Sequence, residues 1–210
     1  MTHTDFWYLI QYQEQTLSWQ LWVEKADDLL SASEKLKPGL RTYWAAAEEN
    51  LKEEYLNKGN YSKPKKKQGR YLQAIYSMLV AYAIENLYKA ILILQNKKQY
   101  EQDIVREESL PRELKTPRHD LVKLVRKLNL NIDTDEINLL LRLSRNSHWQ
   151  GRYPVPAKAK DLKNVVMHDG IPHFVAFLAP SDFPKIESLI SRIKQHIKDN
   201  CSKCWCSHHF

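Results

Sequence analysis

A chain of 210 residues, 43% apolar and 27% charged, is long enough to bury a core without covalent staples. Its five glycines argue against a turn-rich sandwich, and its formal charge of +7 favours an anionic partner, nucleic acid or an acidic protein, without choosing between them. The three cysteines, Cys201, Cys204 and Cys206, all fall in the last ten residues, which excludes a disulfide scaffold and suits a reducing compartment. Residues 1–10 lack the basic start and cleavage pattern of a secretory signal. The longest apolar stretch, 75–94, is interrupted by Glu85, Asn86 and Lys89, so it reads as a core helix and no membrane is expected. The expected location is the cytoplasm.

The first predicted helix spans about 5–33, with Trp7, Ile10, Leu17, Leu21, Trp22, Ala26, Leu29 and Leu30 as its apolar stripe and Thr4 as its cap. Lys37-Pro38-Gly39 is expected to break it. A second helix follows over 40–57, with Tyr43, Ala47, Leu51 and Tyr55 along one side and Gly59 as its stop. The loop 61–70 is strongly basic. The third helix, 71–96, carries apolar residues over a wide arc (Ile75, Met78, Leu79, Tyr82, Ala83, Leu87, Ala90, Ile91 and Leu94), the pattern of a central bundle helix. A polar connector is expected over 97–115.

Thr116-Pro117 begins the fourth helix, with Leu121, Leu124, Val125 and Leu128 inward. The fifth runs over 134–148 with Ile137, Leu140 and Leu141 inward, joined by Ser144. Gly151-Arg-Tyr-Pro-Val-Pro156 must leave the helix. Residues 157–180 are irregular, with Val165, Val166 and 174–178 as a small extended element. A last helix, 181–200, has the stripe Ile186, Leu189, Ile190, Ile193 and Ile197. The fold class is all-α: an antiparallel bundle forming one domain over 1–200, followed by a flexible tail over 201–210.

The segment Ala81-Tyr-Ala-Ile-Glu-Asn-Leu-Tyr-Lys-Ala-Ile-Leu92 resembles the second core helix of HEPN domains. His119-Asp-Leu-Val-Lys-Leu124 resembles the start of the third, and 136–149 followed by Gly-Arg-Tyr-Pro resembles the fourth. The likeness rests on the order and spacing of these segments over about 15–156. It implies a HEPN-like helical bundle that dimerises with a second copy. It also implies one of two functions: a metal-independent endoribonuclease of a toxin or defence system, with a cognate antitoxin as partner, or a non-catalytic module binding a nucleotide or protein. No cofactor is implied.

Arg142-Leu-Ser-Arg-Asn-Ser-His148 is the first candidate constellation. In the resemblance, the ribonuclease members use an Arg, usually followed by a polar residue, then a His after four to six intervening residues. A His near neutrality can move a proton while a 2′-hydroxyl attacks the adjacent phosphate, and an Arg can neutralise the phosphorane. Arg142 has the family spacing to His148 but is followed by Leu143, and Arg145 is followed by the polar Asn146 but lies three residues from His148. The simpler reading is a basic, solvated helix end.

His119-Asp120 is the second candidate, either lining a dimer cleft or serving as an ordinary helix start. Glu85, Asn86 and Lys89 form the third: a buried Glu needs a partner, and Lys89 sits four residues on, so the pair is either structural glue or faces Arg142 or Arg145 across the bundle and orients it. Arg152 and Tyr153 are candidates for phosphate pairing and ring stacking on a ligand, or a strap packed on the bundle. Lys65, Lys66, Lys67 and Arg70 offer a basic loop for a nucleic-acid backbone, though such runs are more often a solvated loop. Cys201, Cys204, Cys206 and His208 hold enough soft donors for one zinc, but they sit on a single short tail, so no built metal site is expected.

Overall fold

The computed structural model of the chain describes residues 3–56, 71–115, 119–128, 130–152, 158–163, 165–174 and 178–206. Seven α-helices occur among the described residues, with one two-stranded sheet, so the fold is all-α. The basic loop 61–70 and the site candidates Lys65, Lys66, Lys67, Arg70, Tyr153 and His208 lie outside the described residues.

The expected first helix is two, α1 (His3–Leu17) and α2 (Trp19–Glu34). Ser18 is extended between them, and the Trp22 indole N–H donates to the Thr16 carbonyl at 2.9 Å to hold the corner. The break redirects the stripe: Leu17 and Ala26 are buried, whereas Trp7 and Leu21 are exposed. Lys37-Pro38-Gly39 opens α3 (Lys37–Leu56) rather than forming a loop. Proline suits a first turn, where its missing N–H has no partner to lose.

α4 (Leu72–Glu107) is the axis of the bundle, and α1, α2, α3, α5, α6 and α7 all pack on it. It is long and apolar enough to cross a membrane, but most of its apolar span is covered by other parts of the same chain, as in a core helix. Ala83, Ile84, Leu87, Ala90, Ile91 and Ile93 have no exposed surface. The helix continues well beyond the expected end at 96. At Asn96 the backbone leaves helical geometry (φ −127°, ψ 22°) while the side-chain amide donates to the Leu92 carbonyl at 3.0 Å. Such local bonding competes with the backbone ladder and bends a helix without ending it. Tyr100 and Ile104 are buried beyond the bend, which explains why the expected connector is helical as far as Glu107.

α5 (Leu121–Lys127) is capped by Asp120, which accepts from the Lys123 N–H at 3.1 Å, while the expected start at Thr116-Pro117 lies outside the described residues. α6 (Thr134–Arg145) opens with a capping box between Asp133 and Glu136. It then widens into one π-helical turn (Asn146–Gln150), closed by the Gly151 N–H on the Asn146 carbonyl at 2.9 Å. After a 3-10 turn (Ala159–Leu162), strands β1 (Val165–His168) and β2 (Ile171–Phe174) form an antiparallel hairpin with Val165 opposite Phe174 and His168 opposite Ile171. α7 (Asp182–Cys206) buries the predicted stripe Ile186, Leu189, Ile190, Ile193 and Ile197. The helix runs through Cys201 to Cys206, so the start of the expected tail is part of it.

Candidate functional site

A polar cluster forms where one stripe of α4 meets the turn after α6 and the residue before α5. Ala74, Met78, Tyr82, Glu85 and Lys89 recur at three- and four-residue spacing and therefore share a face of α4. Gly151 lies over the first two. A Cβ at that position would sit 2.5 Å from the Met78 Cβ and 3.0 Å from the Ala74 carbonyl oxygen, so only glycine allows this approach. The Gly sets the π-turn on α4 and delivers Arg152 to the next residues of the stripe.

Ser147 is buried, and its carbonyl accepts from Arg152 twice, from Nε at 3.2 Å and from the guanidinium terminus at 2.9 Å. The Tyr82 hydroxyl donates to the same carbonyl at 3.2 Å. The guanidinium carbon stands 5.5 Å from the Tyr82 ring centre, within cation–π range.

His119 completes the cluster. Its backbone is left-handed (φ 53°), a conformation uncommon outside glycine though histidine adopts it more readily than most. The Leu121 N–H, two residues on, donates to the Ser144 hydroxyl at 3.1 Å, tying this segment to α6. The imidazole meets the Tyr82 ring edge-on at 4.9 Å. Its Nδ1 is 2.7 Å from Glu85 Oε2, and its Nε2 is 2.8 Å from Arg152. Glu85 is buried, and its other oxygen takes Lys89 Nζ at 2.6 Å. That ammonium also faces the Trp22 ring at 5.3 Å.

The partners dictate the protonation. A guanidinium can only donate, so Nε2 accepts and the ring is neutral, with its hydrogen on Nδ1 pointing at Glu85. The chain runs from a buried carboxylate through an imidazole to an exposed guanidinium. Two cations, Lys89 and Arg152, stand against one buried carboxylate. Asp120, next to His119, caps α5 and has Lys123 at 3.6 Å. The exposed end of the cluster is therefore an electropositive seat beside a basic ring nitrogen.

The arginines predicted as phosphate clamps are held elsewhere. Arg142 makes a two-pronged pair with Asp182, at 2.5 and 2.8 Å, with both side chains almost wholly buried. Asp182 also accepts from the Ala179 N–H at 2.6 Å, so the pair locks α6 to the start of α7. Arg145 donates to the backbone carbonyls of Asp161, at 2.8 Å, and Lys163, pinning the loop ahead of the hairpin. Burial holds its guanidinium below the usual pKa. Glu85 therefore faces His119, and not Arg142 or Arg145. His148 is exposed on the π-turn. Asn86 lies beside Glu85, half-buried and outside the hydrogen bonds of the cluster.

Cys201 is half-buried at the edge of a groove of about 1090 Å³, which runs along residues 93–101 of α4 and so beyond the cluster. Leu17, Trp19, Ile93 and Leu94 give that groove a mainly apolar lining. Among the described residues no group of three or more His, Cys, Asp or Glu is placed to hold a metal.

Tyr82 and Ser147 are the members that sequence reasoning missed. Tyr82 reads as a core residue, and its place three residues before Glu85 on one helix face was the available signal. Ser147 contributes a backbone carbonyl, for which sequence carries no signal. No protein-family model, curated protein or solved structure matches the chain.

Proposed function

We propose that this chain is a HEPN-type RNA-directed protein acting as a metal-independent endoribonuclease, with His119, Arg152 and Glu85 as its working groups. The observation that carries the reading is the Glu85–His119–Arg152 chain: a neutral imidazole fixed in one tautomer by a buried carboxylate, its second nitrogen beside an exposed guanidinium. This is the equipment for moving a proton next to a phosphate.

In the proposed reaction Arg152 binds a non-bridging phosphate oxygen of single-stranded RNA. His119 Nε2 takes the proton of the neighbouring 2′-hydroxyl, and the 2′-oxygen bonds to phosphorus. The bond from phosphorus to the 5′-oxygen breaks, and the proton is returned to that oxygen. The products are a 2′,3′-cyclic phosphate and a 5′-hydroxyl end. Glu85 stabilises the imidazolium while it exists, and Lys89 holds the other oxygen of that carboxylate. His148, on the same turn as Ser147, is the second histidine to test, either in this copy or across a dimer.

The test compares cleavage of a single-stranded RNA by the parent, His119→Asn and His148→Ala. Asn tolerates a left-handed backbone, so the first variant spares the local fold. Loss of about 10²- to 10⁴-fold in His119→Asn, with cyclic-phosphate ends from the parent, is the expected result. Equal background cleavage by all three removes the enzymatic reading. The second reading, a non-catalytic HEPN module that binds a nucleotide, is favoured by the fact that Arg152 already occupies Nε2.

A further inference from the structure

The nitrogen that would take a proton is covered. Nε2 of His119 accepts from Arg152 at 2.8 Å, so its lone pair is engaged. The same guanidinium bonds the Ser147 carbonyl, a neutral acceptor, and lies exposed at the surface. A phosphate oxygen is a stronger acceptor for guanidinium than either a neutral carbonyl or a neutral imidazole.

We propose that Arg152 is a cap removed by the substrate itself. A phosphodiester arriving from solvent takes the donor now pointing at His119, and the guanidinium turns from the ring towards the anion. The lone pair of Nε2 is then uncovered beside the phosphate that displaced the cap. This deepens the nuclease reading and rests on it, because it names the substrate class of the same site. A hydroxyl next to a phosphodiester meets a free base, whereas a neutral ester carries no anion to move Arg152 and meets a covered one.

The surroundings allow this exchange without rebuilding. Glu85 on α4 holds Nδ1, and Lys89 holds the other oxygen of that carboxylate. Tyr82 supports both the imidazole and the guanidinium from α4, while Asp120, the next residue, is engaged in capping α5. The imidazole therefore keeps its orientation when Arg152 moves.

The experiment is nuclear magnetic resonance on the full chain labelled with ¹⁵N in its histidines. Without ligand, His119 is expected to give the neutral Nδ1–H pattern. A thymidine hexamer has phosphodiesters but no 2′-hydroxyl, so it binds without being cut. Its addition should move the Nε2 resonance saturably and leave the Nδ1–H pattern in place. Arg152→Lys, which keeps charge but loses the planar fork, should weaken that binding at least about tenfold. Arg152→Ala should show the uncovered Nε2 position before any hexamer is added. Hexamer binding that leaves Nε2 unmoved, no saturable shift, or an Nε2–H tautomer in the free protein would each overturn the proposal. RNA cleavage is scored separately. Shifts without cleavage keep the cap and remove the nuclease; cleavage with an unmoved Nε2 does the reverse.

Discussion

Substituting Gly151 by alanine tests how the site is seated, because two effects of opposite sign meet there. In open space, Gly→Ala would stabilise by about 0.4–1 kcal/mol, since alanine restricts the unfolded chain. Here the new methyl would lie 2.5 Å from the Met78 Cβ, 2.8 Å from its sulfur and 3.0 Å from the Ala74 carbonyl oxygen. Non-bonded carbons rest about 3.5–4.0 Å apart, so the turn must lift by roughly 1 Å from α4. The sulfur can swing away, but the Met78 Cβ and the Ala74 carbonyl belong to the helix itself and cannot. Overpacking of this kind costs about 1–3 kcal/mol and outweighs the entropic gain. Urea unfolding should show a lower midpoint with an unchanged slope. Met78→Ala should not rescue it, since that change removes the sulfur and keeps the Cβ. A neutral or stabilised Gly151→Ala protein would refute the reasoning, and with it the claim that close approach to α4 positions Arg152.

Asp182→Ala should destabilise by about 3–5 kcal/mol in denaturant, because it removes the two-pronged carboxylate partner of a largely buried guanidinium. Arg142→Met with Asp182→Leu should recover most of that loss if packing replaces the pair. Glu85→Ala should cost a similar amount through the stranded Lys89, and a cost within experimental error would show that water reaches the ammonium. The hairpin should respond to acid. The hydrogen bond from Arg126 holds the Asp169 carboxyl below its ordinary value of 3.8. A depressed carboxyl contributes stability that is present above the ordinary value and is lost as pH falls through the folded one. Amide resonances of β1 and β2 should therefore shift at a pH below the ordinary carboxylate range, and Arg126→Ala should move that step up towards it. A step that stays at the same pH in Arg126→Ala would assign it elsewhere.

Much of the architecture was legible in the order of residues. Periodicity located α4, α6 and α7, since a helix touching several neighbours must be apolar over a wide arc. The errors have particular causes. Ser18 divides one expected helix in two because a tryptophan six residues from Thr16 finds its carbonyl, a contact with no pattern in the text. Asn96 bends α4 without ending it, because Tyr100 and Ile104 find a core to enter. Pro38 signals a stop on the text alone, but a first helical turn accepts it.

For the site, composition already set the kinds of group available: a carboxylate and an ammonium one turn apart on a core helix, two histidines, and several arginines near a glycine. Those identities follow from the chain alone, because burial makes polar residues on an apolar helix conspicuous. Which arginine meets which acid was decided only by the tertiary structure. Arg142 and Arg145 close on Asp182 and on backbone carbonyls, while Arg152 reaches His119 because Gly151 lets its turn rest on Met78. Spacing along the chain fixes neighbours within one helix. Partners tens of residues apart are set by how closely two backbones approach, and that distance depends on the whole core.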